Sequence, residues 1–242
     1  MSTYGQHRHM SVIDSDQEPG LAENSLVQYA FQRMYTSDDV EAAIQEVLDL
    51  VGRKMNVSRV YIFENSDDNR FCSNTYEWCN DGIQPEIQNL QGISYEHDIA
   101  GYVDMYDDKG IFYCPDIHTL PENIYHILAP QGIKSLLHCA IRDKGQFRGY
   151  IGFDECVNHR MWTKEQIDAL TFLAETMSIF LLKKRQQEKM QQHAEELHSI
   201  LDCQNAWITI VDPETWELKY LNAKLRRAVP EAKPGDCCYK GL

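Results

Sequence analysis

From Trp162 to Val211 the sequence contains neither glycine nor proline, and this unbroken stretch restricts the fold more than any other feature. Thr163 is followed three residues later by Gln166, the spacing at which the two side chains cover each other's free backbone N–H groups at the start of a helix. Ile167, Leu170, Leu173, Ala174, Met177, Phe180 and Leu181 then recur at intervals of three and four, which places them on one wide helical face that must be buried. Lys183 to Lys189 (KKRQQEK) is wholly polar, after which Met190, Ala194, Leu197 and Leu201 resume the stripe. A continuous helix from Thr163 to Cys203 would be roughly 60 Å long at 1.5 Å per residue, too long to fold back on a small domain. Its second half therefore needs a partner, most economically its own copy in a second chain, so a homodimer through residues 163–203 is expected. The alternative is two helices of one globule with a bend near Lys184.

Composition narrows what the rest of the chain can do. With 242 residues and 43% hydrophobic content it can bury a full core. A net charge of −14, from 37 acidic and 23 basic residues, would be repelled by nucleic-acid phosphates. The longest apolar run, Ala169 to Leu182, has 14 residues and contains Glu175 and two threonines, too short and too polar to span a bilayer. The N-terminus has no apolar core of a signal peptide, and the eight cysteines are scattered. A cytoplasmic location with reduced thiols is the expectation.

Taken in order, residues 1–22 lack periodicity and read as a disordered arm. Leu26, Val27, Ala30, Phe31 and Met34 mark a first helix. Ser37-Asp38-Asp39 offers an N-cap for a second, carrying Val40, Ile44, Val47, Leu48 and Val51 and closed by Gly52 or Asn56. Val57–Glu64 is β-branched and aromatic, and after the turn Asn65–Asn69, Arg70–Cys79 reads as its hairpin partner. Residues 80–110 form a long irregular connection, more typical of a binding lid than of filler. A short strand Ile111–Cys114, a helix Asn123–Ala129 and two strands, Ser135–Arg142 and Gln146–Cys156, joined by Asp143-Lys144-Gly145, precede the long helix. This order predicts an α+β fold: an antiparallel sheet with helices on one face and a roofed cavity on the other, plus the long helix. Beyond it, Trp207–Val211 and Trp216–Leu221 read as a hairpin about the turn Asp212–Thr215, with a short helix near Asn222–Ala228. Two strands and one helix are too little to bury a core alone, so the chain is expected to stop inside a domain.

The segments SLLHCAIRDKGQFRGYIGFDE (135–155) and MWTKEQIDALTFLAETMSIFLLKK (161–184) resemble the C-terminal half of a GAF domain. The resemblance implies a GAF-like sensor over residues 23–184, followed by a coiled-coil-like linker over 185–204. ILDCQNAWITIVDPETWELKYLNAKLRRA (200–228) looks like the start of a PAS domain, making 205–242 a truncated PAS-like segment. GAF, helix and PAS in this order are typical of bacterial signalling proteins ending in GGDEF or EAL output domains or a histidine kinase, and the wording of this GAF is most like that of cyclic-di-GMP signalling proteins. No such catalytic motif occurs in the chain. The implied role is a sensor that binds a small molecule and relays it through the dimeric helix.

Strand alternation cannot say which side faces the cavity. Tyr76, Trp78, Tyr113, Tyr125, His138 and Tyr150 are the candidate ligand-binding residues, since aromatic bodies with one polar tip suit a planar ligand; the alternative is that they are ordinary half-buried strand residues. The ligand or cofactor itself stays unspecified. His138-Cys139, Cys114 with His118, and Cys72 with Cys79 lack zinc-like spacing, so no metal site is expected. Bilin-binding GAF relatives carry Cys followed by His; here the order is reversed, which speaks against a covalent chromophore. Two alternatives complete the set: a ligand-free dimerisation module, and a thiol enzyme of the free methionine sulfoxide reductase type using Cys72, Cys79 and Cys114. Cys139 and Cys156 read as core residues. Asp154 and Glu155, being adjacent on a strand, point to opposite faces, the wrong geometry for sharing one substrate; Asp154 reads as a strand-end or capping acid.

Overall fold

A computed structural model describes residues 19–37 and 39–238 and divides the chain into two compact units, residues 1–181 and 182–242. In the first unit, helix α1 (Pro19–Thr36) lies against α2 (Val40–Met55). α1 starts at Pro19, inside the stretch expected to be unstructured; proline is tolerated there because the first helical turn has no use for its missing N–H. Residues 1–18 lie outside the described residues. Asp39 caps α2 by accepting from the Ala42 N–H, and Asn56, at φ 48°, ends it in the left-handed conformation. Gly52 is not the stop: it sits inside α2 where the Trp78 ring covers it, so close that a β-carbon would lie 2.1 Å from ring carbons.

The sheet runs β3-β2-β1-β6-β5-β4 with every pair antiparallel. Its strands are β1 (Arg59–Asn65), β2 (Phe71–Cys79), β3 (Ile93–Ser94), β4 (Ile111–Cys114), β5 (Ser135–Asp143) and β6 (Gln146–Glu155). The two-residue β3 lies within the lid and pairs with Phe71 and Cys72 at the sheet edge; it is too short for periodicity to reveal. Lys144 and Gly145, both at positive φ, make the tight β5–β6 turn. α2 covers one sheet face across β1 and β2. Helix α4 (Lys164–Asp202) begins on that face too, buries Leu170, Leu173, Ala174, Met177 and Leu181, and brings Thr171 to the Cys139 thiol. The reciprocal cap at its start is formed: the Gln166 backbone N–H donates to the Thr163 hydroxyl and the Thr163 backbone N–H to the Gln166 side-chain Oε1, both at 3.2 Å. Opposite, residues 80–110 and helix α3 (Glu122–Leu128) roof the other face over a core containing Tyr61, Phe63, Ile99, Tyr102, Phe112, Ile124, Leu128 and Tyr150. The architecture is the α+β arrangement expected, and α4 continues without a break to Asp202.

The second unit holds the end of α4, strands β7 (Thr209–Val211) and β8 (Leu218–Leu221), and helix α5 (Ala223–Ala228). Leu218, Leu221, Leu225 and Ala232 form its small core. Asp202 accepts from Tyr220 Oη and Ala223 N–H, both at 2.7 Å, and the Asn222 amide donates to the Leu201 and Ala206 carbonyls. The hairpin is thereby tied to the last turn of α4. Among the described residues no helix is long and apolar enough to cross a membrane.

Candidate functional site

Register decides what faces the roof. β1 places Arg59, Tyr61 and Phe63 opposite Asp154, Gly152 and Tyr150 of β6, and β5 sets His138 opposite Gly152. All of these side chains share one face. Gly152 is bare because the Tyr61 ring lies across it, within 2.2 Å of where a β-carbon would be. On β2 the pairing shifts between Ile62 and Phe63, so that Glu77 opposes Tyr61 while Asn74 opposes Phe63. The bulge thus brings both Asn74 and Glu77 onto the roofed side. Between this face and the roof is a narrow cavity of about 30 Å³, walled by Arg59, Tyr61, Phe63, Asn74, Glu77 and Tyr150 from the sheet and by Leu90, Ile93, Ile99, Tyr102 and Gln131 from above.

A chain of buried polar groups runs behind the cavity. Tyr61 Oη donates to Asp154 Oδ1 at 2.8 Å and lies 2.7 Å from His138 Nε2. With its only proton given to Asp154, Tyr61 must accept there, so His138 carries its proton on Nε2. Nδ1 is then free to accept from Tyr102 Oη at 3.3 Å. A roof residue is thus hydrogen-bonded through His138 and Tyr61 to Asp154. Asp154 Oδ2 faces Arg59 Nε at 3.7 Å, and Arg59 Nη2 donates to the Gln131 carbonyl at 2.7 Å and to Cys156 Sγ. Burial works against the Arg59 charge, but Asp154 beside it prevails and holds the guanidinium above its ordinary range. Burial likewise pushes the Tyr61, Tyr102 and Tyr150 hydroxyls far up, so all three stay neutral donors.

Glu77 ties the roof to the sheet. Its carboxylate accepts the Glu86 N–H at 2.9 Å and the Ile87 N–H at 3.0 Å. Burial raises its pKa, with the two backbone bonds opposing. Asn74 Nδ2 reaches Glu77 Oε1 at 3.5 Å, whereas Asn74 Oδ1, in a side chain 2% exposed, has no partner.

Of the six candidates from sequence, Tyr150 alone lines the cavity, and His138 lies behind it in the polar chain. Tyr76 and Trp78 are corrected: they flank Glu77 on β2 and so fall on the helix-covered side, opposite Ile62 and Val60, with Trp78 Nε1 donating to Asp49 of α2. Tyr113 lies beside Leu137 on the same side, its ring stacked on that of Trp162 and its hydroxyl accepting from the Trp162 backbone N–H. Tyr125 stands at the outer edge of α3 between His118 and His126. Asp154, next to last in β6, does lie at the strand's end, and it is a buried ion-pair partner, 1% exposed. Missed were Arg59, Tyr61, Asn74, Glu77 and Tyr102. Alternation from Tyr150 would have found the two β1 residues had the sheet order been known; the β2 bulge leaves no periodic trace. Among the described residues no three His, Cys, Asp or Glu side chains are grouped to hold a metal.

A curled antiparallel sheet with a roofed face, closed by a long helix, is the architecture of one family of sensory domains. The chain belongs to the GAF domain family, which matches residues 39–181. It is similar to the methanogenesis regulatory histidine kinase FilI of Methanothrix harundinacea, at 33% identity over 151 residues. The match takes in 61% of this chain but only 17% of the kinase. Among solved structures, the phycoerythrobilin-bound GAF domain of a cyanobacterial phytochrome superposes with a TM-score of 0.59 at 12% identity, covering 69% of this chain and 97% of that one. The chromophore-binding domain of the Stigmatella aurantiaca bacteriophytochrome gives 0.57 at 16% identity, covering 73% and 67%. At these identities the likeness is one of fold.

Proposed function

We propose that this chain is the sensory part of a larger cytoplasmic signalling protein. A small molecule enters between roof and sheet, and α4 relays its presence through a homodimer to an output domain. The carrying observation is the Tyr102–His138–Tyr61–Asp154 chain, which joins the roof to the sheet beneath which α4 begins. A ligand that moves Tyr102 changes the donors available to His138, and so biases the sheet between two arrangements. α4 supports the relay: Phe172 and Ile179 on the first unit, and Met190, Leu197 and Ile200 on the second, are exposed apolar side chains on this helix, each pair Phe172/Ile179 and Met190/Leu197 seven residues apart. The similarity to a regulatory histidine kinase favours a signalling output; a cyclic-di-GMP cyclase or phosphodiesterase is the output that the sequence resemblance suggests, with a PAS domain completed by chain beyond β8 and α5.

The cyanobacterial phytochrome neighbour holds phycoerythrobilin, but Cys139 is on the helix-covered side with its thiol beside Thr171, so a thioether from it would not reach the cavity. Thiol catalysis is disfavoured too. Burial pushes Cys72 to about 11 and Cys79 to about 12 and raises Cys114, leaving little thiolate at neutral pH. The small cavity volume favours one second reading, a module that only dimerises.

Two measurements on the purified chain test the proposal. Oxidation should link the exposed Cys203 of two protomers, with Cys203→Ser abolishing the link; a chain that stays monomeric at micromolar concentration and does not cross-link would remove the relay. Mass spectrometry of molecules released from protein purified from cells should find a bound species. If none is released and no compound shifts the melting temperature, the dimerisation reading replaces the sensory one.

A further inference from the structure

Arg59 and Glu77 are the charged groups walling the cavity, and Asp154 lies behind it against Arg59. Arg59 and Asp154 face each other as an ion pair and cancel. Glu77 forms no ion pair among the described residues: it accepts from the Glu86 and Ile87 N–H groups, the Asn74 amide and the Cys79 thiol. Arg59 attracts Glu77 from a distance, and Glu86, an acid, repels it. The cavity's uncompensated charge is therefore negative. The orphan Asn74 Oδ1 adds an acceptor on the same wall. Its orientation is settled by chemistry, since turning the amide over would set its oxygen against the Glu77 carboxylate. An unmet buried acceptor costs free energy until something donates to it. Beside these two groups the Phe63 and Tyr150 rings stack at 4.7 Å, and the Tyr61 ring meets Phe63 edge-on at 5.6 Å. Two acceptors, one of them charged, within an aromatic wall form a surface that attracts an organic cation.

We infer that the cavity recognises a compact amine, its ammonium group donating to the Asn74 amide oxygen and the Glu77 carboxylate while its apolar body lies against Phe63 and Tyr150. This rests on the sensory reading above and names the ligand class for the same site. Engagement also has a mechanical consequence. The Glu77 oxygens that would receive the ammonium are those that hold the Glu86 and Ile87 N–H groups, so the amine competes directly with the strap between roof and sheet.

The test is a thermal-shift and calorimetric series on the full chain with propylamine, isoamylamine and phenethylamine, beside the N-acetyl derivative and the matching carboxylate of each. At least one amine should raise the melting temperature by roughly 5 °C at saturation, with its N-acetyl derivative and carboxylate binding at least tenfold more weakly. Glu77→Gln should weaken the amine at least tenfold. Asn74→Asp, which keeps an oxygen in place and adds charge, should hold or improve affinity; the unliganded melting curves of both variants report whether they fold. Equal binding of amines and carboxylates, unchanged affinity in Glu77→Gln, or no shift by any amine would each overturn the inference. If another molecule is released from cell-purified protein while every amine fails, the ligand class is wrong and the sensory reading stands; if no molecule binds, both fall.

Discussion

Tyr61 is the residue through which the buried polar chain passes, since its hydroxyl both accepts from His138 and donates to Asp154. Removing that oxygen leaves a buried N–H and a buried carboxylate oxygen each short of a partner. Tyr61→Phe is therefore expected to destabilise the chain by about 1–3 kcal/mol, read from the urea midpoint at unchanged m-value. Glu77 has a distinct signature. Its folded pKa is raised above the ordinary 4.5 by burial, so the folded state holds its proton more tightly than the unfolded chain does. Stability from this group is complete at pH below about 4.5 and is lost as pH rises through the folded value. Urea titrations of wild type and Glu77→Gln across pH 4 to 8 should show wild type losing stability relative to the variant as pH rises. A difference moving the other way would mean that the Glu86 and Ile87 N–H groups outweigh burial.

Among the elements, α4 is the most legible, at its start above all. The Thr163/Gln166 exchange follows from spacing alone because capping depends only on residues within one turn. Thr163→Ala should cost about 1 kcal/mol in urea unfolding while leaving the helix in place. β2 shows the opposite case. Its residues read correctly as a strand, but the shift between Ile62 and Phe63 exchanges which side chains face the roof, and Tyr76 and Trp78 end on the side covered by α2. The bulge is a property of the β1–β2 pairing rather than of β2, so no reading of residues 70–79 by themselves could supply it.

For the whole molecule, the relay predicts that the polar stretch 183–189 is where two arrangements of paired helices coexist. Replacing Lys183 and Gln186 by Leu continues the spacing from Ile179 to Met190. It should tighten dimerisation at least tenfold in analytical ultracentrifugation and make the parent's output unresponsive to its signal; switching that persists in this variant would argue against the stretch as the control point. Local order was readable from the chain because each part of it is decided within a few residues: the caps of α2 and α4, the tight turn at Lys144-Gly145, the β-branched run of β1, the α+β succession and the uninterrupted helix to Asp202. The site was not. Nothing within a few residues of Arg59 tells that β6 brings Asp154 beside it, and nothing on β2 tells that the roof supplies the Glu86 and Ile87 N–H groups to Glu77. Which way a strand's alternate side chains point, and which buried groups meet, depends on partners such as His138 and Asp154, 77 and 93 residues from Tyr61 along the chain, on a roof folded over the sheet, or on a bulge between neighbours, and only the assembled domain sets those pairings.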